Sequence, residues 1–191
     1  MRELRRRLLT PILRDRRRVT CCAFLRAPLA FLLLLLASYL PAQQAKAPAA
    51  VFSSVLAELK QQTRVPILLP GHLPALGEDS VYASALGNAD SYSIRIESDP
   101  DCDGANACFL GIFGAERGGK FSFPETVKIG KDGQGRYKGT TCGGSCSPPA
   151  IEWKLNGVLY TVQLNLRTGN EKKARTRMIE LAQESILAGP R

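Results

Sequence analysis

One segment, AIEWKLNGVLYTVQLNL (residues 150–166), restricts the fold more than any other part of the chain. It contains Asn156-Gly157, the preferred dipeptide of a two-residue type I′ turn between antiparallel strands. Because side chains alternate across a strand, a turn at this point sorts apolar and polar side chains onto opposite faces. The apolar face is expected to carry the pairs Leu155–Val158, Trp153–Tyr160 and Ile151–Val162, and the polar face Glu152, Lys154 and Thr161. We therefore predict an antiparallel hairpin with one buried face.

Further stretches have the composition of strands and turns. SYSIRIES (91–98) alternates apolar and polar residues, which is typical of a half-buried strand, and CFLGIFGAE (108–116) is predicted as its partner. TVKIG and RYKGT flank KDGQG, a glycine-rich turn that indicates a second hairpin. VPILLPGHLP (65–74), with its three prolines, predicts a short strand or extended arm that turns at Pro70-Gly71.

Amphipathic helices are predicted on both sides of these strands. In residues 50–64, Val51, Val55, Leu56 and Leu59 recur at helical spacing. A closing helix is predicted to start at the cap Asn170 and to end before Gly189. Its apolar side would carry Ala174, Met178, Leu181, Ala182 and Ile186. The predicted fold class is α+β, an antiparallel sheet of hairpins with an N-terminal and a C-terminal helix and disulfide-stapled loops.

Residues 1–49 differ in composition from the remainder of the chain. They hold ten of the 26 Lys and Arg residues but only two of the 17 acids, so residues 50–191 carry 16 basic and 15 acidic residues. A basic stretch, an apolar run from Leu29 to about Leu40 and then small residues follow one another, which is the order of a secretory signal. The apolar run is shorter than the ~20 residues that a permanent membrane-spanning helix needs.

The end of this leader contains two small-x-small triplets, AKA (45–47) and APA (47–49). Pro48 would directly follow the first cleavage point, which favours the second. We predict a basic leader and signal peptide over residues 1–49 and a single exported α+β domain over residues 50–191, periplasmic or extracellular after cleavage near residues 47–49. A translation start near Val19, an uncleaved anchor and a twin-arginine signal at RRRLL (5–9) stay open as alternatives.

The charge distribution argues against a nucleic-acid partner. The net charge of +9 belongs almost entirely to the leader, and the predicted domain, with 16 basic and 15 acidic residues, has a net charge of +1. A nucleic-acid-binding domain should show a basic stripe on its folded part, and this sequence has none there. We predict no nucleic-acid binding, and contact with a membrane only through the leader during export.

Four cysteines follow the leader, namely Cys102, Cys108, Cys142 and Cys146, and an even number in an oxidising compartment indicates two disulfides. Pairing within each couple would contribute roughly 2 kcal/mol per bond in the chain-entropy model, and pairing across the couples roughly 4 kcal/mol. Local pairing is favoured because each couple brackets a turn-rich segment, although the other pairings stay open. A four-cysteine zinc site would more typically show C-x2-C spacing. A redox role for CGGSC would require a following helix, whereas SPP follows.

The stretch SDPDCDGANAC (98–108) is a candidate calcium loop. Asp99, Asp101 and Asp103, with Gly104, match the first half of a twelve-residue calcium loop, but Leu110 stands where its bidentate glutamate should be. The same residues suit a solvated turn closed by the cysteines, and Gly104 fits such a turn equally well. We therefore predict a disulfide-closed turn without a cofactor and keep weak calcium binding by the three aspartates as a hypothesis.

Enzymatic chemistry has little support in the residues. His72, the only histidine, lies in LPGHLP, and GGSCS (143–147) lacks the G-x-S-x-G elbow of a serine hydrolase. No base–nucleophile pair is evident, so no catalytic residue is assigned. The rigidified loops TTCGGSCSPPA and PGHLP are better candidates for binding, since loops on a rigid scaffold often carry function.

The segments PDCDGANACFLGIFGAERGG, CGGSCSPPAIEWKLNGVLYTVQL and LAQESILAGPR resemble those of small exported bacterial proteins of cyanobacterial type with four cysteines. Such families have no agreed activity, so the resemblance implies export and a single domain but no catalytic residues. The expected function is an exported, non-catalytic binding or structural protein of the cell envelope with an envelope or extracellular partner. The alternatives are a small secreted hydrolase using acidic residues and a weak calcium-binding module.

Overall fold

The structure of the protein is a computed structural model, and it describes residues 47–78, 80–102 and 105–191. The predicted leader therefore lies outside the described residues, apart from its last three positions. A 3-10 turn at Ala50–Phe52 leads into helix α1 (Ser53–Gln62), and helix α2 spans Glu171–Ala188. The strands are β1 (Tyr82–Asn88), β2 (Ser91–Glu97), β3 (Phe109–Arg117), β4 (Glu125–Ile129), β5 (Gly133–Lys138), β6 (Thr141–Cys142), β7 (Cys146–Ser147), β8 (Ala150–Leu155) and β9 (Val158–Leu164).

Seven of these strands form one antiparallel sheet in the order β1-β2-β3-β9-β8-β5-β4. The meander β1–β3 and the hairpins β4–β5 and β8–β9 are local units, and the sheet forms when β9 pairs with β3 and β8 pairs with β5. Strands β6 and β7 make a separate two-stranded hairpin. The predicted α+β class, with an antiparallel sheet between two helices, is confirmed.

The hairpin predicted around Asn156-Gly157 is present in the predicted register. Both turn residues have positive φ angles, 50° and 78°, as a type I′ turn requires. Leu155 pairs with Val158, Trp153 with Tyr160 and Ile151 with Val162. Trp153 and Tyr160 also stack, with ring centroids 5.5 Å apart.

Strand β1, YASALGN, was not predicted from the sequence. It pairs with β2 along its whole length and forms one edge of the sheet. Its inward side chains are small, Ala83 and Ala85, so its alternation of apolar and polar residues is weak. Alanine and glycine are also poor strand formers, and pairing with β2 overrides that local preference.

The inner face of the sheet carries the core. A row of side chains in register, Ile94, Phe113, Val162, Ile151 and Tyr137, runs across strands β2, β3, β9, β8 and β5, and all five residues are buried. Phe52, just before α1, meets the ring of Phe113 edge-on at 5.1 Å and is itself fully buried. Phe52 was not among the apolar residues predicted to line the helical segment 50–64, yet it is the most buried residue of that segment.

Residues 65–74 were predicted as a short strand or extended arm, and the part before its turn, residues 65–70, lies in this core. Val65, Ile67, Leu68 and Leu69 are each at most 3% exposed. Tyr160 donates a hydrogen bond from its hydroxyl to the carbonyl of Pro66 at 3.0 Å, and the hydroxyl of Tyr92 accepts one from the N–H of Leu68 at 3.2 Å. Two backbone groups of the arm are thus bonded by the sheet's tyrosines, as buried polar groups require.

Helix α2 has the predicted ends. Asn170 caps its start, since its Oδ1 accepts the N–H of Lys173 at 3.1 Å. Gly189 ends it with a φ of 71°, a conformation that favours glycine. Four of the predicted apolar residues are buried, namely Ala174, Met178, Leu181 and Ala182, and Ile186 is half-buried.

The outer face of the sheet is the one that the sequence predicts to be polar. Glu152 lies on this face as predicted, yet the residue is only 1% exposed. The segment 118–124 covers it, and the carboxylate accepts the N–H groups of Ser122 and Phe123. In the described part of the chain, no helix has the length and apolar content to cross a membrane.

Candidate functional site

A groove of about 310 Å3 opens on the outer face of the sheet, and we call it the disulfide groove. Its floor is formed by sheet residues and its two walls by loops that each contain a disulfide. The lining residues are Arg95, Asn106, Phe109, Ile112, Ser145, Cys146, Ser147, Pro148, Gln163 and Asn165.

The floor of the groove is a row of side chains on three neighbouring strands. Arg95 on β2 pairs with Ile112 on β3, and Ile112 pairs with Gln163 on β9. Residues that are paired across an antiparallel sheet point to the same face, so the three side chains lie side by side. A cation, an apolar side chain and an amide therefore follow one another along the floor.

The first wall belongs to the loop closed by Cys102 and Cys108, whose Cα atoms are 6.0 Å apart. This loop contributes Asn106 to the groove, and Phe109 follows it directly. Ser98 donates its backbone N–H to the carbonyl of Cys108 at 2.9 Å, which closes the base of the loop. The loop is therefore held by a covalent bond and by a hydrogen bond at its base.

The second wall belongs to the β6–β7 hairpin, in which Cys142 and Cys146 form a disulfide with Cα atoms 4.0 Å apart. Both local pairings that the sequence favours are thus confirmed. Gln163 on the floor donates its side-chain N–H groups to the hydroxyl of Ser147 at 2.9 Å and to the carbonyl of Pro148 at 3.0 Å. The second wall is therefore held by its own disulfide and by hydrogen bonds to the floor.

Arg95 has the most strongly polar side chain of the groove. Its Nε donates to the carboxylate of Glu97 at 3.1 Å, and its guanidinium carbon lies 5.1 Å from the ring centre of Phe109. The side chain is 34% exposed, whereas that of Glu97 is only 10% exposed. Among the described residues, no hydrogen bond uses the two terminal nitrogens of Arg95. Arg95 is thus held in place at Nε and can offer its terminal N–H groups to a ligand.

The acidic turn next to the first wall uses one of its carboxylates internally. Asp99 accepts the backbone N–H of Asp101 through Oδ1 at 2.9 Å, which is the bond of an Asx turn. Asp103, the third residue of the calcium hypothesis, and Gly104 lie outside the described residues. Within the described ranges, no group of three or more His, Cys, Asp or Glu residues could hold a metal ion. Calcium binding by Asp99, Asp101 and Asp103 stays a prediction.

The other polar residues considered from the sequence do not meet at one place. His72 lies 3.3 Å from Glu184 of α2, which packs against the inner face, whereas Ser145 lines the disulfide groove on the outer face. Glu152 is enclosed under the segment 118–124. These side chains therefore do not form a nucleophile–base pair.

The floor residues Arg95, Ile112 and Gln163 were not identified as functional from the sequence. Arg95 stands at a polar position of the predicted strand SYSIRIES, and Gln163 at the corresponding face of the predicted hairpin. Their juxtaposition depends on the pairing of β9 with β3, which no local pattern specifies. The sequence indicates on which face of its own strand each residue lies. It does not indicate which strands are neighbours, and therefore not which side chains lie side by side.

Comparison with known proteins identifies no relative of the chain. No protein-family profile matches the chain, and neither a curated protein nor a solved structure is significantly similar to it.

Proposed function

We propose that the protein is an exported, non-catalytic binding protein of the cell envelope and that the disulfide groove is its ligand-binding surface. One observation carries this proposal. Two loops that are more than 30 residues apart in the chain, each closed by its own disulfide, border the same groove. A disulfide in such a short loop rigidifies mainly that loop. Because both rigidified loops border the same groove, a binding role for the groove is favoured.

Rigid walls favour binding for a thermodynamic reason. A loop that is ordered only when the ligand arrives loses conformational entropy, and that loss weakens the complex. Here the disulfides and the bonds from Gln163 to Ser147 and Pro148 hold the walls before any ligand is present. Functional loops on a fixed scaffold are a common arrangement, and the seven-stranded sheet is such a scaffold.

The lining groups indicate the chemistry of the ligand. The terminal N–H groups of Arg95 suit a carboxylate, which a guanidinium can bind through two parallel hydrogen bonds. The amides of Asn106 and Asn165 and the hydroxyl of Ser145 can both donate and accept hydrogen bonds, as sugar hydroxyls require of a partner. Ile112 and Phe109 offer apolar contact. We infer a hydroxyl-rich ligand that bears carboxylates, which is the composition of an acidic glycan.

Export is supported by two independent features. The described cysteines are paired in disulfides, which persist in oxidising compartments and are rare in the cytosol. The sequence of residues 1–49 has the order of a secretory signal. Both agree with a periplasmic or extracellular location.

The hydrolase alternative has less support than binding. Glu152, one of the acidic residues that such a hydrolase could use, is 1% exposed, and its carboxylate accepts three hydrogen bonds from Ser122 and Phe123. A general acid or base must reach the proton that it transfers, and a carboxylate that is enclosed and fully bonded does not.

The test is a titration of the oxidised protein, residues 50–191, with an oligogalacturonide, followed by calorimetry and by amide NMR. We expect saturable binding with shifts at Asn106, Gln163 and Asn165, and a loss of at least about tenfold in affinity for Arg95→Lys, which loses the fork of donors but keeps the charge. The matched control is Arg136→Lys, because Arg136 lies on the same face beside Phe121. We expect it to bind as the wild type does.

Three results would overturn parts of this proposal. Binding without shifts in the groove would remove the groove as the site. Affinity that neither lysine variant changes would indicate nonspecific attraction by charge, because lysine keeps the positive charge of arginine. Binding of an acidic peptide but of no oligogalacturonide would retain a binding role and overturn the glycan.

A further inference from the structure

The seven-stranded sheet has an open edge at β1. This strand pairs with β2 on one side, and the sheet ends with it. The N–H of Gly87 points away from β2, since it donates to Oε1 of Gln62 at 2.8 Å. Alternate residues of an antiparallel strand direct their backbone groups to the same side, so Ala83 and Ala85 also present N–H and C=O groups at the edge. Among the described residues, no hydrogen bond uses these groups of Ala83 and Ala85.

Strand β1 lacks the features that usually protect such an edge. Its sequence, YASALGN, contains no charged residue and no proline, and its register with β2 is regular. Natural edge strands are commonly protected by charged side chains, by proline or by bulges, because an unprotected edge pairs with other strands. Strand β4 at the opposite edge follows this rule, since it carries Glu125 and Lys128 within five residues. The edge at β1 is therefore open to an added strand, whereas the edge at β4 is protected.

The outer face of β1 carries two of the four large apolar side chains that are exposed in the described part of the chain. Leu86 is 78% exposed and Tyr82 is 41% exposed. Each stands two residues from Ser84, which is exposed between them. An edge strand that is exposed to water is expected to carry charged residues at such positions, so these side chains indicate a partner that covers them.

We propose that the edge of β1 pairs with the same edge of a second copy of this chain, antiparallel and around a two-fold axis at Ser84. In this register Ala83 pairs with Ala85 of the second copy, and each such pair exchanges two hydrogen bonds. On the outer face, Tyr82 lies opposite Leu86 of the second copy, at a position where side chains come close. One symmetric register therefore bonds the open backbone groups and covers both apolar side chains.

The pattern of the strand favours a second copy over an unrelated partner. Because the two apolar side chains are equally far from Ser84, the strand is complementary to itself, as a two-fold interface requires. A two-fold axis at Ala85 would need the N–H of Gly87, whose acceptor is already Gln62. Since β4 is protected, the association ends with two copies. Strand β1 contributes no residue to the disulfide groove, so the inference does not depend on the proposed glycan binding.

A charge-swap experiment tests the register directly. Ser84→Lys would place two ammonium groups opposite each other at the axis, and Ser84→Glu two carboxylates, so each variant alone should dimerise at least about tenfold more weakly than the wild type. An equimolar mixture of the two variants should regain dimerisation, because opposite charges then face each other. Sedimentation velocity of the oxidised protein at a series of concentrations measures the association. The wild-type dimer should dissociate on dilution, because two short strands form a smaller interface than those of permanent dimers.

Thr126 provides the matched control. Like Ser84, it is an exposed hydroxyl residue on the outer face of an edge strand. Its cross-strand neighbour is an arginine, as is that of Ser84. Thr126→Lys therefore makes the same change of charge at the protected edge and should dimerise as the wild type does. Circular dichroism checks that all three variants are folded.

Amide hydrogen exchange identifies the surface that pairs. The N–H groups of Ala83 and Ala85 should exchange at least about tenfold more slowly well above the dissociation constant than well below it, because pairing occupies them. The N–H of Gly87 serves as an internal control, since Gln62 accepts it in the monomer and in the dimer. Its exchange rate should not depend on protein concentration.

Several outcomes would overturn the proposal. A protein that is monomeric at every concentration, even one that binds an extended peptide at β1, would exclude the second copy as the occupant. Equal weakening by Ser84→Lys and Thr126→Lys, or unchanged exchange at the two alanines, would exclude the edge of β1. A mixture of the Ser84 variants that associates no better than either variant alone would exclude the axis at Ser84.

Discussion

The carboxylate of Glu152, on strand β8, accepts the backbone N–H of Phe123 at 2.7 Å, and this bond fastens a covering segment to the outer face of the sheet. Ser122 binds the same carboxylate through its N–H and through its hydroxyl, the latter at 3.2 Å. A buried carboxylate is tolerated in a protein only when such donors surround it. Glu152 is therefore a structural residue whose charge is used to order residues 118–124.

Replacement of Glu152 should accordingly reduce stability in a graded way. Glu152→Ala leaves two backbone N–H groups without their acceptor and should lower the free energy of unfolding by about 2–3 kcal/mol. Glu152→Gln retains one acceptor oxygen and nearly the same volume, so it should lower that free energy by about 1 kcal/mol. Urea denaturation followed by tryptophan fluorescence measures both.

The matched control for Glu152 is Glu116→Ala, an exposed glutamate on the same face of β3, which should change the free energy of unfolding by no more than about 0.5 kcal/mol. If Glu152→Ala lowered the free energy of unfolding no more than Glu116→Ala does, the covering segment would not depend on the carboxylate of Glu152.

The disulfide of the β6–β7 hairpin should matter more to binding than to folding. Cys142 and Cys146 are four residues apart and exposed, so the chain-entropy model assigns their bond only about 2 kcal/mol. The double variant Cys142→Ser, Cys146→Ser should therefore fold but lose affinity for the oligogalacturonide at least about tenfold, because its wall is no longer held. Calorimetry on the oxidised variant, with circular dichroism as the folding control, measures this. Undiminished affinity would contradict a preorganised second wall.

The local parts of this fold could be predicted because their patterns are local. The register of Trp153 with Tyr160 follows from the Asn156-Gly157 turn three residues away, and the ends of α2 follow from Asn170 and Gly189. Strand β1 could not be predicted in this way, since its alanines and glycine have no strong preference for a strand and it forms only because β2 pairs with it.

The site could not be predicted from the sequence because it depends on contacts between residues that are far apart in the chain. The donors that bury Glu152 are about 30 residues away in the chain, so its burial could not be read from the alternation of β8. The row Arg95, Ile112 and Gln163 likewise depends on pairing between β3 and β9, strands that other elements separate in the chain. The cysteine couples predicted two stapled loops, but not that both loops border one groove.

The buried tyrosines should make the protein less stable in alkali. Burial raises the pKa of Tyr160 to about 12, and burial also raises the pKa values of Tyr92 and Tyr137 above their ordinary range, helped in Tyr137 by its hydrogen bond to Glu171. In the unfolded chain these phenols ionise near pH 10. Their contribution to stability is therefore complete below about pH 10 and is lost as the pH rises toward 12, because the unfolded state releases its protons first.

Urea denaturation at about pH 8 and about pH 11, on either side of the unfolded pKa, measures this loss. The variant Tyr160→Phe removes one of the titrating groups and should show a smaller difference between the two pH values. Native tyrosines that all ionised near pH 10, seen as phenolate absorbance before unfolding, would contradict the prediction.

The last described residue, Arg191, should stabilise the buried arm through its side chain. Its Nε and Nη2 donate to the carbonyl of Leu69, at 3.2 Å and 2.5 Å, and its backbone N–H donates to the carbonyl of Ile67 at 3.0 Å. Leu69 has no exposed surface. If the guanidinium is removed, water therefore has little access to the carbonyl of Leu69 and does not replace the lost hydrogen bonds. Arg191→Ala should therefore lower the free energy of unfolding by about 1–3 kcal/mol, the range for a hydrogen bond from a charged donor.

Two further variants separate this hydrogen bond from a general effect of charge. Arg191→Lys retains the charge and one donor and should recover part of the loss. Arg177→Ala removes an arginine of α2 whose pair with Glu180 is exposed, 55% and 49%, and exposed pairs contribute less than about 1 kcal/mol. If urea denaturation gave equal losses for Arg191→Ala and Arg177→Ala, the carbonyl of Leu69 would not need its guanidinium partner, and burial of the arm alone would hold residues 65–70 in the core.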